Sequence, residues 1–137
     1  MTGKMKRILP ILTLLLAVFM LPSAAGAKGK QAKIKFAEYT YDFGNVAEKG
    51  GSVTHEFRFT NDGDGNLVII DATATCGCTR PEYPKNPIAP GKSGVIKVTY
   101  NPNLRPGPID RTVTVKTNGS PKKVRLRITG NVIPGKK

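Results

Sequence analysis

Apolar and polar side chains alternate along most of this chain with a period of two, the spacing of strands half-buried in a sheet. In Ser52–Asn61, Val53, His55, Phe57 and Phe59 take one face, while Thr54, Glu56, Arg58 and Thr60 take the other. Gly94–Tyr100 sets Ile96, Val98 and Tyr100 against Val95, Lys97 and Thr99. Arg111–Thr117 sets Val113 and Val115 against Thr112, Thr114 and Lys116. Lys123–Val132 sets Val124, Leu126 and Ile128 against Lys123, Arg125 and Arg127. Leu67–Ala72 is an apolar run, and Lys33–Phe43 alternates loosely with a break near Glu38. Gly50-Gly51, Asp62-Gly63-Asp64-Gly65, Pro90-Gly91, Pro106-Gly107-Pro108 and Asn118-Gly119 mark the turns between them. No helical stripe interrupts the pattern. About seven short strands punctuated in this way predict an all-β fold, an antiparallel β-sandwich in a single domain.

The first residues follow different rules. Lys4, Lys6 and Arg7 precede the apolar run Ile8–Leu21, and Ala25-Gly26-Ala27 supplies a small-residue cleavage pattern. This predicts a signal peptide over residues 1–27. The apolar run is too short for the roughly 20 residues of a spanning helix, so the cleaved product is not expected to be an integral membrane protein. The expected organisation is then a flexible tail over 28–33, the sandwich over 34–132 and a basic tail over 133–137. Export predicts a periplasmic or outer-membrane-associated location, where paired cysteines are oxidised more often than free.

The 137-residue chain carries a formal net charge of +13. In an exported protein that charge points to anionic glycan or lipid surfaces, or to an acidic protein face. Nucleic acid is not expected, because aromatics are few and tryptophan is absent, leaving no base-stacking platform. Lys123, Arg125 and Arg127 form the best basic stripe, and Lys116 and Lys97 extend it if their strands are neighbours. The competing reading is a solvated face whose charge discourages edge-to-edge pairing of sheets.

Chemistry concentrates in Cys76-Gly77-Cys78-Thr79, which holds both cysteines of the chain. Three readings stand. The pair can close a disulfide, because Cα atoms two apart lie within its reach and Gly77 gives the tight ring backbone freedom; a strained ring of this kind is readily exchanged with thiols. Two thiolates also suit Cu(I), whereas structural zinc needs four ligands and only His55 remains to help. Lastly, the pair can simply tighten a strand-to-loop junction. His55, the lone histidine, reads as a packed core or rim side chain. Asp62-Gly63-Asp64-Gly65-Asn66 begins like a calcium loop, but Leu67 and Thr73 stand where the motif needs glycine and glutamate, so a polar turn is expected. Neither a catalytic residue nor a cofactor is indicated, since no nucleophile elbow, triad or paired carboxylates occur.

Several runs together carry a resemblance: Tyr41-Asp42-Phe43-Gly44-Asn45-Val46, Val53–Asn61, Cys76-Gly77-Cys78-Thr79, Ile88-Ala89-Pro90-Gly91 with Gly94–Tyr100, Val113–Asn118 and Leu126–Gly130. The chain resembles the bacterial domain-of-unknown-function family 1573 over residues 34–132. That resemblance implies an immunoglobulin-like sandwich, similar in outline to sperm-protein-type and pilus-chaperone-type domains, in the periplasm or cell envelope. It brings no activity and no catalytic residue. Arg105-Pro106-Gly107-Pro108 departs from it by its proline content. The expected function is a non-catalytic envelope module that binds a protein partner, by adding a strand at a free sheet edge. The alternatives are a thiol-redox or Cu(I) protein using Cys76 and Cys78, and docking to an anionic polymer through the basic face.

Overall fold

The alternating segments fold into eight strands: β1 (Ile34–Phe36), β2 (Thr40–Ala47), β3 (Val53–Asn61), β4 (Ile69–Ala74), β5 (Thr79–Glu82), β6 (Ser93–Tyr100), β7 (Gly107–Thr117) and β8 (Lys123–Ile133). The computed structural model describes residues 30–135; the expected signal peptide lies outside them. Two four-stranded sheets pack face to face, ordered β1-β3-β6-β5 and β2-β8-β7-β4. Most strands turn one apolar face inward. Phe57, Phe59, Ile96, Val98 and Tyr100 from one sheet meet Ile69, Val113, Val115, Leu126, Ile128 and Val132 from the other, all buried. At roughly 25 cal/mol per Å² of apolar surface, this burial is the main favourable term holding the sheets together.

Four features differ from the sequence reading. The eighth strand is β5, which contains Pro81. Proline removes a ladder donor, and β5 tolerates it because it is an edge strand bonded only to β6. Strand β7 starts at Gly107, ahead of the expected Arg111. The sandwich is not wholly antiparallel, since β2 pairs with β8 in parallel. The short link after β1 carries the chain across to the second sheet without reversing it, so it meets β8 running the same way. Finally, parts of the expected tails are packed. Ala32 is buried, Lys33 bridges Ser120, Ile133 belongs to β8, and the Gly135 N–H donates to Glu48 Oε1 at 2.9 Å.

Each edge carries some protection against further pairing. β1 has three residues and β5 has four with a central proline. β2 is broken by a bulge between Asp42 and Asn45, where Gly44 takes φ 71° and donates its N–H to Asp42 Oδ1 at 2.8 Å. At the start of β4 the Tyr83 hydroxyl donates to the Ile70 carbonyl at 3.4 Å. Such devices blunt strand addition, so no edge is long, flat and bare.

The polar turn at Asp62–Gly65 is built on Asn61, a fully buried polar side chain. Its Nδ2 donates to the carbonyls of Gly65 (2.7 Å) and Ile88 (2.9 Å), and its Oδ1 accepts from Gly63 (3.0 Å) and Lys33 (3.3 Å). Asp64 is likewise engaged, accepting the Gln31 N–H at 2.7 Å. Asp64 thus acts as a turn former.

Candidate functional site

The Cys76-Gly77-Cys78 turn is where the chain leaves the second sheet and enters the first. β4 ends at Ala74, the Thr75 N–H still bonds the Thr112 carbonyl at 3.2 Å, and β5 begins at Thr79. Cys76 and Cys78 are joined as a disulfide, with Cα atoms 5.3 Å apart. The Cys78 N–H donates to Cys76 Sγ at 3.1 Å and the Thr79 N–H to the Cys76 carbonyl at 3.2 Å. The Asn101 N–H donates to the Cys78 carbonyl at 2.9 Å. Those bonds satisfy the backbone of a crossover that has no ladder partner of its own. Gly77 is not among the glycines with positive φ. Crowding does not require it either, since a Cβ there would meet nothing within 4 Å.

The two sulfurs have unequal surroundings. Cys78 is 5% exposed and belongs to the core cluster, whereas Cys76 is half-buried at its margin. Arg111 reaches the buried sulfur, its Nε donating to Cys78 Sγ at 3.3 Å, with Thr79 Oγ1 3.5 Å away. Arg111 stands on the same face of β7 as Ile109, Val113 and Val115, all buried. The sequence reading missed it. The signal was present, because a charged residue two positions before Val113 occupies core parity.

The turn shares its end of the sandwich with other loops. Strand pairings Val53 with Tyr100, Thr79 with Tyr100 and Gly107 with Val132 bring Glu48–Ser52, Asn101–Pro106 and the end of β8 to the same side. A cleft of about 130 Å³ lies there, lined by Ser52, Gly77, Cys78, Arg80, Thr99 and Asn101. Leu104 is 79% exposed and holds φ 62°, a conformation that costs a bulky L-residue energy. Arg105, next in sequence, and Ile133, one residue past the Val132 that pairs with Gly107, are exposed at the same end. A larger hollow of about 390 Å³ occupies the opposite end, among the loops around Asp64 and Asn118, where both side chains are tied to backbone groups.

The remaining predicted residues separate. Lys116 pairs in register with Lys123, and Arg125 and Arg127 follow on the same outer face. Lys97 does not extend this stripe. It lies on β6, in the other sheet, between Glu56 and Glu82 in the register. Arg127 is also committed, donating through Nε and Nη2 to Asp110 Oδ1 and Oδ2 at 2.8 and 2.9 Å. The bond from Arg127 and its charge hold the Asp110 carboxyl below its ordinary range. Asp71 faces Lys116 across the β4–β7 ladder. The patch left to an anionic ligand is thus smaller than the sequence implied. His55 is a packed rim side chain, stacked on Tyr41 and bonded to Glu38. The two sulfurs are bonded to each other here, so the Cu(I) reading requires the opened, reduced pair. Among the described residues no three His, Cys, Asp or Glu side chains gather where they could hold a metal ion.

A family model described as protein of unknown function (DUF1573) matches residues 34–132. The chain belongs to that family. The match begins with β1 and ends one residue before the last residue of β8, so it covers the whole sandwich, and the family's description states no activity. A protein of unknown function from Porphyromonas gingivalis W83 is similar in fold, with a TM-score of 0.68 and 15% identity, over 80% of this chain and 50% of that one. The PapD-like domain 7 of human CEP192 is similar at a TM-score of 0.58 and 12% identity, over 77% of this chain and 89% of that domain. The secreted serine protease VesC from Vibrio cholerae is similar at 0.55 and 16%, over 73% of this chain and 23% of the protease. This chain therefore spans half of the Porphyromonas protein and under a quarter of the protease. At these identities the likeness is one of fold. No curated protein matches.

Proposed function

We propose that this DUF1573 protein is an exported, non-catalytic module of the periplasm or outer membrane surface. It recognises a protein partner through the loop end that carries the Cys76–Cys78 turn. The observation that carries this reading is Leu104, a large apolar side chain 79% exposed on a backbone of positive φ. Strain of this kind persists only where the surrounding structure enforces it, and it clusters at binding sites. Pro102 and Pro106 flank the loop and limit its freedom, so an apolar tip is presented at a low entropic cost of ordering. Arg80 and Arg105 on the same end suit a partner whose apolar pocket has an acidic rim. The closed disulfide agrees with an oxidising compartment, as does the signal peptide expected over residues 1–27.

Strand addition is the less favoured route because every edge carries some protection. The test is a photoreactive side chain at Leu104 in the native cell, with Ile70 as control. Ile70 is also apolar and 57% exposed, but lies on the outer face of the second sheet. A discrete envelope-protein adduct from position 104 and none from position 70 is expected. Equal adducts, or none from 104, would reject the loop end as the binding surface.

A further inference from the structure

The environment of Arg111 is difficult to explain by packing alone. It directs a guanidinium N–H at a disulfide sulfur, a weak acceptor. Its other bond runs from Nη1 to the Asp110 carbonyl at 3.1 Å. Among the described residues, basic side chains meet carboxylates within 4 Å only at His55 with Glu38 and Arg127 with Asp110, so no carboxylate there lies within 4 Å of Arg111. A half-buried cation aimed at a neutral sulfur gains little from it, but the same cation aimed at a thiolate gains a charge-assisted bond.

We propose that Cys76–Cys78 is an exchangeable disulfide with a fixed polarity: Cys76 is the sulfur attacked, and Cys78 is the leaving thiolate held by Arg111. Access sets the first half of this assignment. Cys76 is half-buried at the core margin, whereas Cys78 is only 5% exposed although it borders the cleft with Gly77. The leaving group sets the second half, because exchange is faster when the departing thiol has a lower pKa, and a neighbouring arginine lowers it. The Thr79 hydroxyl, 3.5 Å from the same sulfur, can donate to the thiolate once formed.

The substrate class is a dithiol. One thiolate of the substrate attacks Cys76 Sγ, a bond forms between those sulfurs, and the Cys76–Cys78 bond breaks with its electron pair on Cys78. The second substrate thiolate then attacks the substrate sulfur of the mixed disulfide. Cys76 leaves as a thiolate and takes a proton from water. The substrate ends as a disulfide and the Cys76/Cys78 pair as a dithiol, two electrons having moved. The step is stoichiometric, and it stands apart from the partner-binding reading, since a small thiol suffices to observe it.

The experiment treats the purified oxidised protein with limiting glutathione, quenches with acid, alkylates, and locates both modifications by fragment-ion mass spectrometry. Glutathione on Cys76 with the alkyl group on Cys78 is the expected result. Glutathione on Cys78, an even mixture, or a disulfide that stays closed would overturn the proposal. In parallel, the rate of opening by dithiothreitol is compared between the parent, Arg111→Ala and Arg111→Lys. Arg111→Ala should open slower by on the order of tenfold, with its thiolate absorbance appearing at higher pH, and Arg111→Lys should recover most of the rate. Equal rates and equal titrations across the three would remove Arg111 from the chemistry. The site-of-attack result needs no variant, so it decides even if Arg111→Ala fails to fold.

Discussion

Tyr41 and His55 stack face to face with ring centroids 3.6 Å apart and 7° between their planes, although they belong to opposite sheets. Phe43 meets Tyr41 edge-on at 5.1 Å and Phe57 meets His55 edge-on at 4.8 Å. Glu38, in the link between β1 and β2, bonds the His55 ring. These contacts fasten β2, the strand that crosses sheets, onto β3. Aromatic pairs contribute about 0.5–1.5 kcal/mol beyond area burial. A double-mutant cycle of Tyr41→Ala and His55→Ala, read by urea unfolding, should give a coupling of about 1 kcal/mol. Additive single effects would mean that the stack is only a consequence of packing.

Asn61 holds three segments at the opposite end through four hydrogen bonds. Asn61→Ala leaves the Gly65 carbonyl without its donor and the Ile88 carbonyl with only the Leu67 N–H, and should cost about 1–3 kcal/mol. Asn61→Asp keeps the acceptor but not the donors, so it should remain well below the parent. Chemical denaturation of the three proteins checks the order.

Leu104 connects stability and binding with opposite signs. Glycine adopts positive φ without the Cβ clash, so Leu104→Gly should raise the unfolding free energy by about 0.5–1 kcal/mol. The same change removes the apolar tip and should abolish partner capture. A variant that loses stability and keeps capture would contradict both expectations.

Asp110 gives a pH signature. The hydrogen bond from Arg127 lowers its pKa below the ordinary 3.8, with the charges of Arg127 and Arg111 acting the same way. A depressed carboxylate contributes stability that is present above its unfolded pKa and lost as the pH falls through its folded one. Asp110→Asn should therefore lower Tm slightly at neutral pH, and the gap should close in strong acid. Because the pair is fully exposed, added salt should shrink the gap as well. A gap that persists in acid would assign the effect to something other than this carboxylate.

Period two gave the strands because each sheet buries one face, and this is why β3, β6 and β8 fall where the alternation places them. Strand β5 was hidden because Pro81 reads as a breaker, and only the sheet order reveals an edge where proline is tolerated. The cysteine pair was legible as a site from its spacing. Arg111 was not read, although its parity was visible, because a charged residue at a strand start is usually taken for a solvated end. Lys97 illustrates the limit of local pattern. Its alternation showed that it faces outward but not which sheet it faces outward from, since sheet order depends on pairings between distant strands.

The smallness of the Cys76–Cys78 ring has a consequence for what the domain can report. Chain-entropy stabilisation grows with the loop a disulfide closes, and a three-residue loop gives only about 1.6 kcal/mol against about 3 for fifteen residues. The sandwich core touches this turn mainly through Cys78, so the open and closed forms share one architecture. A partner that distinguishes them does so by local touch at one corner. The domain then behaves as a rigid handle bearing a two-state label rather than as a switch that changes shape.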